Sequence, residues 1–71
     1  MEGKTMRLTI NGDARDINDH LSLAAYLTSL NLRPQMVVVE RNGEIVPRGD
    51  YAATVLAEND TLELVQMMAG G

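Results

Sequence analysis

Two Asn-Gly dipeptides, Asn11-Gly12 and Asn42-Gly43, constrain the fold of this chain more than any other feature of the sequence. A type I′ turn needs positive φ at both central residues, and asparagine and glycine adopt positive φ most readily. Each dipeptide follows a run of residues with strand character, so the sequence predicts two tight antiparallel hairpins. A chain of 71 residues has room for one small core around them, and we expect residues 1–71 to form a single domain.

The first hairpin is clearly patterned. Met6, Leu8 and Ile10 alternate with polar residues, which places three apolar side chains on one face of a strand. The return strand is expected over residues 13–17. Residues 1–5 precede the pattern, and we expect them to form a frayed leader.

One helix is predicted between the two hairpins. Ser22 is positioned to cap a helix that begins at Leu23 and ends at Leu30. Leu23, Leu27 and Leu30 share one face at i, i+4, i+7 spacing, which is typical of a core-facing stripe. Asn31 fits a left-handed cap after the last turn.

Three strands are predicted after the helix. The apolar run at residues 36–39 favours a strand that is covered on both faces near the middle of a sheet. Residues 44–46 form the return strand of the second hairpin, which Pro47 ends because proline has no ladder donor. In the last strand, Leu62 and Leu64 alternate with outward-facing residues and are expected to face the core.

The order of these elements predicts an α+β fold. One main helix packed on one face of a mixed sheet of four or five strands buries both the leucine stripe and the strand faces. The first and last strands can then lie side by side in the middle of the sheet. This is the ubiquitin-like β-grasp topology, in which residues 68–71 are expected to project as a flexible tail.

Composition excludes several functional classes. A net charge of −4 with only six scattered lysines and arginines is unsuited to binding nucleic acid. The absence of cysteine removes thiolate nucleophiles and disulfides, which fits a reducing compartment. No apolar run approaches the ~20 residues of a membrane span, and the start has no signal-peptide pattern. We therefore expect a cytoplasmic protein with no membrane or nucleic-acid partner.

Other polar residues do not form a convincing site in the sequence. His20 and the three aspartates between residues 13 and 19 lack the pattern of a metal or calcium site. Glu58 and Asp60 are interpreted as an exposed turn rather than as an acid–base pair. Arg41 and Arg48 either contact an acidic partner or solubilise the rim of the sheet.

The middle and the end of the chain resemble a known family. Residues 42–48 read Asn-Gly-Glu-Ile-Val-Pro-Arg, residues 58–64 combine an acidic turn with the last strand, and the sequence ends in Gly70-Gly71. In combination these features resemble the ThiS family, the sulfur carriers of thiamin biosynthesis. The resemblance covers nearly the whole chain from Met6.

The resemblance implies chemistry at the carboxylate of Gly71. A ThiF-like adenylating enzyme would use ATP to join that carboxylate to AMP, because a free carboxylate is anionic and a poor electrophile. Sulfur from a persulfide donor such as a cysteine desulfurase would then displace AMP to leave a thiocarboxylate. A ThiG-like thiazole synthase would accept this sulfur. The carrier itself is expected to bind no cofactor or metal and to act as a cosubstrate rather than as an enzyme.

Five residues before Gly71 are candidates for partner binding: Val65, Met67, Met68, Ala69 and Gly70. Glycine lacks a Cβ, so a partner can close tightly around the backbone at the chain end. Val65 and the two methionines form a predicted apolar patch beside it. An extended chain covers about 3.3 to 3.6 Å per residue, so the last four residues would reach some 13 Å into a partner.

Two other interpretations remain open. A MoaD-like carrier, which supplies sulfur for molybdopterin, would share the same terminal chemistry, although the mid-chain block favours ThiS. A β-grasp binding module that uses its sheet face would end in glycines only by chance. Deletion of Gly71 distinguishes this module from a carrier, since only the carrier needs that residue.

Overall fold

The computed structural model describes residues 4–67, which form one five-stranded sheet with one α-helix. The elements in chain order are β1 (Thr5–Ile10), β2 (Asp13–Asn18), α1 (Leu23–Ser29), β3 (Val37–Arg41), β4 (Glu44–Ile45) and β5 (Thr61–Gln66). Two short 3₁₀ helices lie at Pro34–Met36 and Arg48–Asp50.

The strand order β2-β1-β5-β3-β4 confirms the β-grasp topology. β1 and β5 lie side by side and parallel, while the other neighbouring strands pair antiparallel. The expected central position of residues 36–39 is wrong, because β5 occupies the centre and β3 lies next to the two-residue β4. Val37 and Val39 are buried against the helix side, but Val38 on the other face is only half-buried. An apolar run therefore marks a strand here that is fully covered on one face only.

Both predicted hairpin turns are confirmed. φ is 50° at Asn11 and 87° at Gly12, and it is 52° at Asn42 and 87° at Gly43. β1 begins at Thr5, and the Lys4 carbonyl accepts a hydrogen bond from the Asp19 N–H at 2.8 Å. The strand thus starts inside the segment expected to be a leader, and residues 1–3 lie outside the described residues.

The helix is shorter than predicted. Ser22 caps it by accepting a hydrogen bond from the Ala25 N–H at 3.1 Å, but the helix ends at Ser29. Leu23 and Leu27 are fully buried, whereas Leu30 is 42% exposed, so its predicted place in the core stripe is wrong. Because Leu30 follows the last helical residue, it no longer shares the buried face. No helix within residues 4–67 is long and apolar enough to cross a membrane.

The core lies between α1 and the inner face of the sheet. Its buried apolar side chains come from every strand except β2 and β4, and from the helix and the segment after β4: Met6, Leu8, Ile10, Leu23, Tyr26, Leu27, Val37, Val39, Tyr51, Leu56 and Leu62. The Tyr51 hydroxyl donates to the Val37 carbonyl at 2.7 Å. This contact covers the edge of β3 that β4 is too short to pair.

Candidate functional site

The predicted reactive end of the chain follows β5 directly. Four predicted site residues lie outside the described part of the chain: Met68, Ala69, Gly70 and Gly71. The structure gives the point from which they depart. Directly after β5, the Met67 N–H donates to the Met36 carbonyl at 2.7 Å, which is the last backbone hydrogen bond of this segment within residues 4–67. The candidate site is therefore the end of β5 together with the surface around it.

An apolar patch lies on the outer face of the sheet beside this point. Val65 is 59% exposed and stands directly opposite Val38 of β3. Met67 is 39% exposed and follows Val65 by two residues, which places it on the same face. We call Val38, Val65 and Met67 the outer patch. Val65 and Met67, the two predicted partner-binding residues within the described part of the chain, thus lie together at the end of β5.

Two glutamates border the outer patch. Glu40 of β3 stands directly opposite Glu63 of β5, on the same face as Val38 and Val65. Like charges directly opposite each other on a sheet are unfavourable. The ion pairs found within residues 4–67 involve other carboxylates. The outer patch is therefore apolar with a negative border.

A nearly buried carboxylate fixes the start of β5. Asp60 is 6% exposed, and its Oδ2 accepts hydrogen bonds from Arg41 Nε and the Ala57 N–H, both at 2.9 Å. Its Oδ1 accepts from Asn42 Nδ2 at 3.0 Å. Arg41 also donates to the Val55 carbonyl at 3.3 Å. The interpretation of Asp60 as part of an exposed turn is wrong, and Arg41 forms an ion pair with Asp60 within the fold.

The balance of contacts lowers the pKa of Asp60. Burial alone raises it, because a buried charge loses hydration. The hydrogen bonds from Asn42, Ala57 and Arg41, with the charge of Arg41, together outweigh burial and hold the pKa below its usual value. Asp60 is therefore ionised at neutral pH and forms a stable acceptor for all three donors.

Both turn asparagines reach β5 with their side chains, although the turn pattern alone does not predict these contacts. The Thr61 N–H donates to Asn42 Oδ1 at 2.9 Å. On the opposite side of the strand, the Leu64 N–H donates to Asn11 Oδ1 at 2.8 Å, and Asn11 Nδ2 donates to the Leu64 carbonyl at 3.3 Å. One sequence signal for these contacts is the asparagine at the first position of both turns, because glycine would also allow the positive φ there.

A cavity of about 280 Å³ lies on the helix side of the same strand end. Half of its lining residues are aliphatic, and the others are Tyr26 and four polar or charged residues: Asn11, Asp13, Arg15 and Gln66. Leu30, which is exposed at the end of the helix, forms part of the wall. Among the described lining residues, none pairs a nucleophile with a base.

The remaining polar residues are spread over the surface. The His20 side chain is 86% exposed and lies 3.4 Å from Asp19. Arg7 pairs with Asp16 at 3.0 Å and lowers the pKa of that carboxyl by hydrogen bonding and charge. The Glu58 carboxylate accepts from the Arg7 backbone N–H at 3.2 Å. Within residues 4–67 no group of three potential ligands is placed to hold a metal ion.

Comparison with known proteins gives a consistent family. The model of the ThiS family matches residues 8–71. The sulfur carrier protein ThiS of Bacillus subtilis is 34% identical over 65 residues, which cover 90% of this chain and 98% of that protein. The crystal structure of the thiamine biosynthesis protein ThiS from Geobacter metallireducens superimposes with a TM-score of 0.78 at 32% identity, covering 93% of this chain and 100% of that one.

A further relative is a much longer protein. The thiazole synthase of Paramagnetospirillum magneticum is 39% identical over 66 residues. These residues cover 93% of this chain but only 20% of the relative. The chain thus spans one fifth of the length of that protein.

Proposed function

This chain belongs to the ThiS family, and on that basis we propose that it is a sulfur carrier of thiamin biosynthesis whose reactive group is the α-carboxylate of Gly71. The observation that carries the proposal is the family match over residues 8–71, which includes both final glycines. The relatedness to the Bacillus subtilis carrier over nearly its whole length supports the same function.

The chemistry proceeds in three displacements. A carboxylate oxygen of Gly71 attacks the α-phosphorus of ATP held by a partner enzyme, and pyrophosphate leaves. The outer sulfur of a persulfide donor, such as a cysteine desulfurase product, then attacks the carbonyl carbon and expels AMP to give an acyl disulfide. A thiol of the partner attacks the donor's sulfur in that disulfide, forms a disulfide with the donor and releases the acyl group. The resulting thiocarboxylate carries the sulfur. ATP is a substrate of the partner, and the carrier contributes only its terminal group.

The end of β5 suits presentation of that group. The strand pairs with β3, and Met67 after it is bonded to Met36 just before β3. Four further residues are long enough to extend about 13 Å into a partner. Glycine at both final positions lets an adenylating enzyme of the ThiF type close around the backbone. The outer patch gives the same partner an apolar surface beside the entry point.

The negative border of the outer patch indicates the charge of the docking surface. Glu40 and Glu63 repel each other across the strands. A basic side chain of the partner placed between them would relieve that repulsion while the apolar residues are covered. We therefore propose that the partner surface that covers Val38 and Val65 carries an arginine or a lysine.

A thiazole synthase of the ThiG type is the proposed acceptor of the sulfur. The support comes from the relative named thiazole synthase, in which the matched region forms part of a longer chain. A domain that is joined to an enzyme in one organism is often its partner in another. The resemblance of mid-chain residues 42–48 to the ThiS family favours this acceptor over the molybdopterin branch of carriers.

The terminal chemistry is tested by adenylation in the presence of the activating enzyme. We expect Gly71→Ala and deletion of Gly71 to reduce ATP-dependent pyrophosphate release severely, because the added Cβ or the shorter chain displaces the carboxylate. Gly49→Ala is the matched control, since a Cβ there meets no atom within 4 Å. Wild-type rates for both Gly71 variants would refute the proposal and favour a binding module.

The docking surface is tested separately by a charge on the outer patch. Val65→Asp adds a third negative charge beside Glu40 and Glu63 and is expected to raise the KM for the carrier in adenylation by about tenfold or more. Val55→Asp is the control, because Val55 is 54% exposed but lies outside the patch. Equal KM values for the two variants would exclude the outer patch as the docking surface.

A further inference from the structure

The bonds between Asn11 and β5 replace a missing stretch of β1. In the parallel pairing of these strands, the Thr9 N–H donates to the Asp60 carbonyl and the Asn11 N–H to the Leu62 carbonyl, both at 2.9 Å. A continuing β1 would next supply an acceptor and a donor for Leu64. The chain turns away instead, because φ at Asn11 is 50°.

The side-chain amide of Asn11 supplies both missing groups. Its Oδ1 accepts from the Leu64 N–H at 2.8 Å, and its Nδ2 donates to the Leu64 carbonyl at 3.3 Å. A backbone N–H can only donate and a backbone carbonyl only accept, so these contacts also fix which end of the amide is oxygen. One side chain thus extends the β1 ladder by one residue of β5.

Leu64 is the last residue of β5 with support from both neighbouring strands. Beyond Leu64, the backbone hydrogen bonds found among the described residues lie on the side of the strand that faces β3. Val65 pairs with Val38, and the Met67 N–H donates to the Met36 carbonyl. Asn11 therefore sets the point at which two-sided support ends. That point lies three residues before Met67, after which the proposed reactive segment begins.

We propose that Asn11 is a positioning residue of the carrier, whose side-chain amide holds the end of β5 close to the point where the proposed reactive segment begins. The inference rests on the proposed function. When the end of β5 is already ordered in the free carrier, less conformational entropy is lost on binding to the partner. Loss of the amide should therefore raise the KM for the carrier in adenylation and leave kcat nearly unchanged.

Three variants isolate the amide from the turn. Asn11→Gly removes the side chain but keeps the preference for positive φ. Asn31→Gly is the matched control, because φ there is 61° and no hydrogen bond of its side chain is found among the described residues. Asn11→Asp keeps an acceptor for the Leu64 N–H but cannot donate to the Leu64 carbonyl, so it should lie between wild type and Asn11→Gly.

The first readout is amide hydrogen exchange, which needs no partner. In Asn11→Gly we expect the Leu64 amide to exchange about tenfold faster than the change in global stability explains. The buried Leu8 amide of β1 reports that global change. In Asn31→Gly the Leu64 and Leu8 amides should shift together. Unchanged relative exchange of Leu64 in Asn11→Gly would overturn the proposal.

The second readout is steady-state adenylation. We expect Asn11→Gly to raise the KM for the carrier about three- to tenfold with little change in kcat, while Asn31→Gly keeps the wild-type KM. Faster Leu64 exchange with an unchanged KM would contradict a positioning role. A wild-type chain that is not adenylated would refute the proposed function, and the positioning role with it, even where exchange shows that Asn11 holds β5.

Discussion

The turns at Asn11-Gly12 and Asn42-Gly43 have nearly the same backbone but support opposite ends of β5. Their φ values agree within a few degrees. Asn42 binds the first residue of the strand and the nearly buried Asp60, whereas Asn11 binds Leu64 at the exposed far end. The turn at Asn42 thus joins the start of β5 to a charged network. The turn at Asn11 forms hydrogen bonds to β5 near its other end.

The difference between the two turns lies in their neighbours. Hydrogen bonds to an ionised group are stronger than bonds between neutral groups, and burial protects them from water. Asn42 meets both conditions through Asp60, and Asn11 meets neither. We therefore expect the free energy of unfolding to depend mainly on the start of β5, and recognition by a partner to depend more on its end.

The largest effect on stability is expected at Asp60. Asp60→Ala removes three hydrogen bonds and leaves Arg41 partly buried without its carboxylate, which should lower the free energy of unfolding by about 3 kcal/mol. Urea denaturation measures this change. Asp50→Ala is the control, because Asp50 is exposed in the second 3₁₀ helix. Equal losses in the two variants would contradict the role of the network.

The next largest effect separates the two asparagines. Asn42→Gly keeps the turn but removes one bond to an ionised group and one from the Thr61 N–H, for an expected loss of about 2 kcal/mol. Asn11→Gly removes two exposed neutral bonds and should cost about 1 kcal/mol. Urea denaturation of both variants gives the order. A larger loss for Asn11→Gly would reverse the comparison.

Acid should weaken the hydrogen bonds that Asp60 accepts at the start of β5. The pKa of Asp60 is lower in the native state than in the unfolded chain, so its contribution is present above the unfolded pKa and is lost as pH falls through the native pKa. Below about pH 4 the stability of the wild type should therefore fall more steeply than that of Asp60→Asn. Parallel pH profiles for these two proteins would exclude this contribution.

The smallest expected difference is between the two glycines. φ is 87° at both Gly12 and Gly43, and a Cβ built on either one meets no atom within 4 Å. Alanine at each position should therefore cost the same, about 1 kcal/mol, through backbone strain alone. Gly49→Ala, where φ is not positive, should cost less. Unequal losses at Gly12 and Gly43 would show that the turns differ in more than their asparagine contacts.

Local patterns in the sequence predicted the elements and their order well. Strand alternation, the two turns and the Ser22 cap depend on neighbouring residues, so a single sequence contains the needed information. The adjacency of β1 and β5 was predicted as one arrangement that a helix packed on a single mixed sheet allows, and the structure confirms it. The central position given to residues 36–39 failed because a run of valines cannot show that one face stays open.

The contacts that support the candidate site could not be predicted in the same way. Asp60 and its partner Arg41 are 19 residues apart, and Asn11 and Leu64 are 53 apart. Nothing in one sequence pairs residues across such distances, so Asp60 had the composition of an exposed turn. Val65 and Met67 could be selected from the sequence because their place beside the chain end depends only on position along β5.

The central claim is that this chain carries sulfur on the carboxylate of Gly71, and intact mass measurement tests it most directly. The chain is incubated with ATP, an adenylating enzyme and a persulfide donor, and a chain without Gly71 serves as the control. We predict a gain equal to one sulfur replacing one oxygen, which fragmentation assigns to Gly71. An unchanged mass, with the same enzyme active on an established ThiS carrier, would contradict the account.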